Sequence, residues 1–183
     1  MTAPVRVRVT EEDYLATMTG VKPSLEFVNG EVFQKPMVRR SHQKVSHVLN
    51  RVFVHYEEEQ GGLWAWETTT NVSDGPDRRY RVPDMSYWAP GRPIEQPNEI
   101  FLPPTLAIEV RSEGQSMREL RDKCREYRER GVDVCWLIDP FARTVEVFEG
   151  ELDGQPLPLG MSLSSPHVPG FELPLRELWA ALD

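Results

Sequence analysis

The chain has 183 residues, 39% hydrophobic and 27% charged, which is typical of a globular domain large enough for a real core. Its formal net charge of -8 argues against a protein that coats nucleic acid non-specifically, because such affinity comes from neutralising phosphates. No apolar run approaches the ~20 residues of a membrane span, and the N-terminus lacks the apolar core of a signal peptide. The cysteines, Cys124 and Cys135, predict buried, reduced thiols and therefore a cytoplasmic protein.

The first predicted elements are a short helix and a β-hairpin. Thr10 followed by acidic residues is typical of an N-cap with an acidic first turn, and predicts a helix through about Met18. Residues 24–34 form two short apolar segments around Asn29-Gly30, the dipeptide most typical of a two-residue hairpin turn. Two acids border this turn and could face either a site or water: Glu26 and Glu31.

A longer helix is predicted at 41–59. Ser41 is a candidate N-cap, and Gly61-Gly62 ends the helix. His42 lies in the first turn, where a histidine taken alone is more typical of a hydrogen-bonded surface residue than of a ligand. The apolar residues of this helix recur at helical spacing: Val45, Val48, Leu49, Val52, Phe53 and Tyr56.

Two strands are predicted next, at 63–72 and 80–88, joined by a loop of turn-forming residues. Pro83 removes a hydrogen-bond donor from the second strand, so this point is an edge, a bulge or a strand start. Asp84 follows it directly, and Pro-Asp taken alone is common turn chemistry. The proline-rich residues 89–104 predict an irregular loop that could edge a cleft.

The stretch from 105 to 127 has the clearest functional pattern. Residues 105–110 are an apolar run typical of a strand covered on both faces, and Glu109 stands inside it. A carboxylate there requires a compensating cation, hydrogen bonds or a proton. A helix at 115–130 follows, and Lys123 lies on its inward stripe with Leu120 and Tyr127. The strand carboxylate and the helix ammonium can therefore converge on one site.

The remaining residues predict supporting structure. Strands are expected at 132–138 and 144–148, a hairpin or loose loop at 150–169, and a short helix at 173–182. The sequence contains no internal repeat, glycine-rich phosphate loop, cysteine-histidine zinc spacing or serine-nucleophile motif. The functional interpretation therefore does not rest on any of these common motifs.

Three side chains share a chemical logic: Asp84, Glu109 and Lys123. Two carboxylates supply the hard oxygen ligands that suit Mg²⁺ or Mn²⁺. Such an ion can polarise a phosphodiester and acidify water for attack, while a nearby lysine stabilises the negative charge of the transition state. The other interpretation is a buried Glu–Lys pair that only joins helix to strand. Spacing alone leaves both open.

The order of these fragments resembles the PD-(D/E)XK nuclease superfamily, and within it the Uma-two-type restriction-endonuclease family. The fragments extend from about Glu26 to Phe148: Asn29-Gly30-Glu31, Ser41-His42-Gln43, Pro83-Asp84, Glu109-Val110-Arg111-Ser112, Lys123 with Tyr127 and Gly131, and Trp136-Leu137-Ile138-Asp139-Pro140. The resemblance implies a restriction-endonuclease-like α/β fold: a mixed central sheet flanked by helices, with an N-terminal β-hairpin. A single domain over 1–183 is then expected, with its core at about 24–149 and a C-terminal loop, strand and short helix at 150–183.

By the same resemblance the protein is a Mg²⁺- or Mn²⁺-dependent DNA endonuclease. Asp84 and Glu109 would be the metal ligands and Lys123 the catalytic lysine. Glu31 and His42 match positions that recur near the family's site, which adds them to the candidate catalytic residues. The rival interpretations are a catalytically inactive binding or regulatory module with the same fold, and a structural dimer in which Glu109 and Lys123 belong to the core.

One position departs from the wider superfamily, where the lysine usually stands two residues after the acid. Arg111 occupies that place. Arginine stays protonated and cannot act as a base, so it would serve as a phosphate clamp or as a structural partner for Glu109. Lys123 would replace the missing lysine.

The expected partner is DNA, with no membrane association and a homodimer left open. DNA binding requires a locally basic rim on this acidic chain. The residues expected to form it are Arg39, Arg40, Lys44, Arg78, Arg79 and the basic residues of the helix over 118–130.

Overall fold

The computed structural model describes residues 7–36, 39–96 and 100–183, which form four helices and three β-sheets. The helices are α1 (Glu11–Thr17), α2 (Arg40–Gln60), α3 (Met117–Glu129) and α4 (Leu175–Ala180). The first nine strands are β1 (Val7–Arg8), β2 (Leu25–Val28), β3 (Glu31–Gln34), β4 (Leu63–Trp66), β5 (Thr70–Asn71), β6 (Arg79–Arg81), β7 (Met85–Trp88), β8 (Glu95–Gln96) and β9 (Ile100–Phe101). The others are β10 (Leu106–Val110), β11 (Val134–Asp139), β12 (Thr144–Phe148), β13 (Gln155–Leu157), β14 (Ser162–Ser165) and β15 (Val168–Pro174).

The strands form two large mixed sheets and a small one. The first sheet has the order β1-β3-β2-β6-β5-β9-β8, and the second has the order β13-β12-β11-β10-β7-β4. Strands β14 and β15 pair separately. Within the second sheet β10 and β11 are parallel, and Glu109 pairs in register with Leu137. The α/β class expected from the sequence is confirmed, with the N-terminal hairpin built into the first sheet.

The local signals at the N-terminus agree with the structure. Thr10 caps α1 by accepting the Asp13 N–H at 3.1 Å. Asn29 and Gly30 have φ angles of 48° and 88°, the left-handed backbone that a two-residue hairpin turn requires. The hairpin β2–β3 therefore forms around the predicted turn, with Val28 paired to Glu31.

Each of the two strands predicted at 63–72 and 80–88 is in fact two strands in different sheets. The chain leaves the second sheet after β4 and enters the first at β5, then returns from β6 to β7. Glu67 adopts a φ of 43° at the first crossing, and Pro83 lacks the N–H needed to continue a ladder at the second. The Glu67 N–H donates to the Asp84 carbonyl at 3.3 Å, so the two crossings lie side by side.

Helix α2 covers one face of the second sheet. Its predicted apolar stripe is buried against Trp136 and Tyr87, and the Phe53 ring stacks on Trp64 at 4.1 Å between centroids. The helix begins at Arg40, and Arg39 occupies the N-cap without a side-chain hydrogen bond. The expected Ser41 cap is therefore wrong, because Ser41 is already a helical residue in the first turn.

Helix α3 covers the opposite face. Strand β10 places Ile108 in the cluster beneath α2 and Ala107 in the cluster beneath α3. Because side chains alternate along a strand, Glu109 points with Ala107 toward α3. The cysteines Cys124 and Cys135 are buried, free thiols in this second cluster.

The C-terminal region packs onto α2. Residues predicted as a hairpin or loose loop contain β13, β14 and the start of β15, and the helix expected at 173–182 extends over Leu175–Ala180. Phe171 stacks on Phe53 at 4.2 Å between ring centroids. Among the helices of the described residues, none is long and apolar enough to span a bilayer.

Candidate active site

Asp84 lies at the crossing between the two sheets and is 5% exposed. Its Oδ1 accepts a hydrogen bond from Lys35 Nζ at 2.6 Å, and its Oδ2 accepts the Val110 N–H at 2.7 Å. His42 Nε2 lies 3.1 Å from Oδ2. The carboxylate is therefore held by a hairpin, a helix and the end of a strand.

Glu109 is 2% exposed and lies one residue before the end of β10. Its Oε1 lies 2.8 Å from Lys123 Nζ and accepts the Tyr127 hydroxyl at 2.8 Å. The structure thus brings the strand carboxylate and the helix ammonium together. One turn of α3 supplies both partners, since Lys123 and Tyr127 are four residues apart and share a face.

Lys123 also binds a second carboxylate. Its Nζ lies 2.6 Å from Glu26 Oε1, on β2 of the hairpin. Glu26 in turn accepts the Val82 N–H at 3.0 Å and pairs with Arg81 at 3.1 Å. Glu26 therefore belongs to this cluster.

Lys35 is the residue that sequence reasoning missed. It follows β3 directly, and its Nζ bonds both Asp84 and the Val82 carbonyl, the latter at 2.7 Å. Strand alternation offered a signal, because Lys35 continues the face of Phe33, and Phe33 pairs in register with Glu26. The same alternation, combined with the hairpin register, could have selected Glu26 as well.

The other candidates lie at different distances from this cluster. His42 is buried rather than on the surface, between Asp84 and the Ser46 hydroxyl, which is 3.3 Å from Nδ1. Glu31 pairs in register with Val28 at the turn end of the hairpin, one step beyond Glu26 on the same face. The ion pair with Lys123 is made by Glu26 instead.

Arg111 does not take the place suggested for it beside Glu109. It pairs with Asp139 Oδ2 at 2.7 Å and donates to the Gln115 carbonyl at 3.0 Å. Its guanidinium also lies 5.6 Å from the centre of the Phe141 ring. Because β10 ends at Val110, Arg111 leaves the strand and joins the edge formed by β11.

The buried charges shift each other's pKa values. Burial alone would raise the pKa of Asp84, but Lys35 and His42 lower it well below its usual range. Burial raises the pKa of Glu109, and Lys123 beside it only partly opposes this. Burial alone would lower the pKa of Lys123, but Glu109 and Glu26 raise it. Asp84 is therefore firmly ionised, and Glu109 is the carboxylate that is easier to protonate.

Glu26 predicts a measurable acid dependence of stability. Burial alone would raise its pKa, but Lys123 and Arg81 lower it from 4.5 to about 2. The unfolded state therefore binds more protons between these values, so the stabilisation is present above pH 4.5 and is lost as pH falls through about 2. We expect Glu26→Gln to remove roughly 3 kcal/mol of this pH-dependent free energy of unfolding. Urea unfolding of both proteins at several acidic pH values measures it; parallel curves would contradict the assignment.

A surface cleft of about 350 Å³ gives access to part of the cluster. Asp84 and His42 line it, together with Glu67 and Trp66. Glu109 and Lys123 lie deeper and are not among its lining residues. Within the described ranges, no group of three or more His, Cys, Asp or Glu side chains is arranged to hold a metal ion.

The fold matches that of a solved nuclease-like protein. A crystal structure titled as a putative nuclease belonging to DUF820, from Anabaena variabilis ATCC 29413, superposes with a TM-score of 0.79. The two sequences are 21% identical, and the alignment covers 95% of this chain and 99% of that one. At this identity the likeness establishes the fold alone.

The family follows from the sequence comparison. The family described as "Uma2: Putative restriction endonuclease" matches residues 11–179, and the chain belongs to it. No match was found among curated proteins. Family membership, together with the nuclease-like fold, supports a nuclease.

Proposed function

We propose that the protein is a metal-dependent DNA endonuclease with Asp84, Glu109 and Lys123 at its active site. The observation that carries the proposal is the Lys123 ammonium, which is buried against Glu109 at 2.8 Å. Burial is the main cause of the raised pKa of Glu109, and the negative charge of Asp84 raises it further. This member of a nuclease family therefore has two carboxylates and a lysine in one buried cluster.

The donor chemistry fits a hard divalent cation. Mg²⁺ is commonly held by one or two carboxylates together with substrate phosphates and water, which matches Asp84 and Glu109. When bound by these carboxylates, Mg²⁺ or Mn²⁺ would supply Lewis-acid polarisation of a phosphodiester and acidify water. Both known contacts of Glu109 are to Oε1, while Lys35 holds Oδ1 of Asp84. The Lys35 ammonium must therefore move away from Oδ1 of Asp84 before a cation can bind that oxygen.

The charges of the cluster affect how tightly a cation binds. Three carboxylates, Glu26, Asp84 and Glu109, face the cationic groups of Lys35, Lys123 and Arg81, and Arg81 is shared with a fourth carboxylate, Glu126. A divalent cation that binds alone would lie beside the ammonium groups that already neutralise Asp84 and Glu109. A DNA phosphate adds negative charge there, so we infer that the site binds metal more tightly with DNA present.

The chain's own residues have distinct roles in this proposal. Lys123 stabilises the negative charge that develops on the transferring phosphoryl group. Lys35 and His42 orient Asp84 and keep it ionised. Tyr127 donates to Glu109 and fixes its rotamer. Glu26 positions Lys123 from the side opposite Glu109.

Cleavage of plasmid DNA with Mg²⁺, Mn²⁺ or EDTA is the direct test. We expect nicking or linearisation with either metal and none with EDTA. Calorimetric titration of Mn²⁺, with and without an uncleavable phosphorothioate oligonucleotide, tests the charge argument separately. No metal-dependent cleavage, together with no metal binding in either titration, would contradict the proposal.

A second candidate is a catalytically inactive module that keeps the nuclease fold. The closed ion pairs favour it, because Lys35 and Lys123 already neutralise Asp84 and Glu109 without any ligand. Such a cluster would join the hairpin, α3 and the second sheet and do nothing more. The melting and cleavage measurements on Lys123 variants, described below, separate the two candidates.

Ion pairs on the surface reduce the number of basic residues that are available for the predicted DNA-binding rim. Arg78 pairs with Glu11, and the remaining pairs neutralise most basic residues near α3 in the same way: Arg79 with Glu126, Arg121 with Glu146, Arg125 with Asp153, and Arg130 with Asp77. In the described part of the chain Arg40, Lys44 and Arg118 make no ion pair. Arg39 is exposed and lies 3.5 Å from Glu113. The basic rim is thus centred on the start of α2.

DNA binding should depend on salt through this part of α2. We expect affinity to fall steeply between about 50 and 200 mM salt, with a log–log slope set by the number of phosphates neutralised. The double variant Arg40→Ala/Lys44→Ala should reduce that slope by about 2. Fluorescence anisotropy with labelled DNA measures it. Arg176→Ala, an exposed arginine on α4, is the control and should leave the slope unchanged; an equal effect there would refute the assignment.

A further inference from the structure

Trp66 is an exposed aromatic side chain that is nevertheless held in place. It ends β4, the edge strand of the second sheet, and is 43% exposed. Its indole Nε1 donates to Asn50 Oδ1 at 3.1 Å. The same oxygen accepts Trp64 Nε1 at 3.0 Å, and the two indole rings meet edge to face. A fixed, partly exposed indole is well suited to stacking, because little side-chain freedom is lost on binding.

Trp66 lines the same cleft as Asp84 and His42. At about 350 Å³, the cleft lies in the size range of small-molecule sites and suits a single nucleotide unit better than a duplex. Asp84 and His42 are the catalytic candidates that line this cleft. A phosphate that reaches Asp84 through this cleft would therefore share the cavity with Trp66.

The acidic character of the chain makes a stacking contact important. With a net charge of -8 and many of the described arginines held in ion pairs, phosphate attraction alone provides limited affinity. Base–aromatic stacking contributes affinity that does not depend on neutralising phosphates, and it tolerates any sequence. Bases within a duplex are stacked on each other and are not available for this contact unless they are extruded.

We propose that Trp66 stacks on an unpaired base beside the scissile phosphate, so that the preferred substrate is single-stranded DNA. The inference rests on the proposed nuclease function and specifies its substrate. Trp66 is a specificity residue in this arrangement: it binds the base, while Asp84 and Glu109 act at the phosphate. A second copy of the chain pairing along β4 would also cover Trp66, and the experiment distinguishes that case.

The test measures binding in EDTA, where no cleavage occurs. A labelled single strand of about 15 nucleotides, long enough for a typical single-strand site, is compared with the same strand in a duplex. The variants are Trp66→Ala, Trp66→Phe and the control Phe141→Ala, which removes another exposed aromatic (49%) that is not among the cleft-lining residues. Sedimentation of each protein gives its oligomeric state.

We expect the parent to prefer the single strand, and Trp66→Ala to weaken that binding about 10-fold without changing duplex binding. Trp66→Phe should retain most of the affinity, and Phe141→Ala all of it. Equal losses on both DNA forms, no loss, or a changed oligomeric state in Trp66→Ala would overturn the inference. If the Trp66→Ala protein binds the single strand as the parent does and still cleaves DNA with metal, the stacking inference is refuted and the proposed nuclease function is not. Absence of both DNA binding and cleavage in the parent would remove the proposed function as well.

Discussion

Asp84→Asn should lower the rate of metal-dependent DNA cleavage by at least roughly 10²-fold, the scale of deleting one charge-stabilising group. Asparagine keeps the shape of aspartate and can still accept the Val110 N–H. It removes the charge that a cation needs and leaves Lys35 and His42 without their shared anion. Mn²⁺ affinity, measured by calorimetry, should fall in parallel with cleavage.

The matched control is Asp139→Asn. Asp139 is also buried, and it pairs with a basic side chain, Arg111, at 2.7 Å. Both variants should lose stability, because removing one partner of a buried ion pair costs about 3–5 kcal/mol. Only Asp84→Asn should lose metal binding. Equal losses of Mn²⁺ affinity in the two variants would show that Asp84 contributes to the fold and not to a metal site.

Lys123→Met should reduce both cleavage and stability. We expect a loss of roughly 10²–10³ in cleavage rate, because a positive group near the transition state is removed. The free energy of unfolding should fall by about 3–5 kcal/mol, since Glu26 and Glu109 both lose their cation. Because of its two buried ion pairs, Lys123 is important for stability as well as for the proposed catalysis.

A second substitution separates the two effects. Glu26→Gln/Lys123→Met removes one stranded carboxylate, so thermal melting should recover part of the lost stability. Cleavage should not recover, because the ammonium is still missing. If the double variant regains cleavage along with stability, Lys123 acts only through the fold, and the inactive-module alternative is favoured. Cleavage must be measured well below the melting temperature of each variant.

Residues whose environment is set by neighbouring sequence were predicted well. The hairpin depends on Asn29-Gly30, and the direction of Glu109 depends on alternation along β10, both of which are local properties. The apolar stripes of α2 and α3 likewise predicted correctly which helix faces are buried. Family resemblance then selected Asp84 among several exposed-looking acids, although Pro-Asp by itself indicated only a turn.

Features that depend on distant partners were missed. Strand alternation puts Lys35 on the face of Phe33 and Glu26, but its partner Asp84 is 49 residues away, so the sequence does not show what the ammonium binds. His42 has the pattern of a surface residue on the first turn of α2, but it is buried between Asp84 and Ser46, and Asp84 is 42 residues away in the sequence. The crossings at 67–69 and 82–84 could not be located, because the residues on both sides favour strands and only long-range pairing decides which sheet each joins.

The two-sided contact of Lys123 has a consequence for how the protein is made. Its partners lie at residues 26 and 109, and it stands at residue 123, so the ribosome exports both acids before their common cation. Until α3 docks, Glu26 can still pair with Arg81, but Glu109 lacks its nearest cation and the cluster cannot close. A nascent or prematurely terminated chain that ends before residue 123 therefore lacks an assembled centre. If the centre cuts DNA, translation itself delays that capacity until most of the chain has folded.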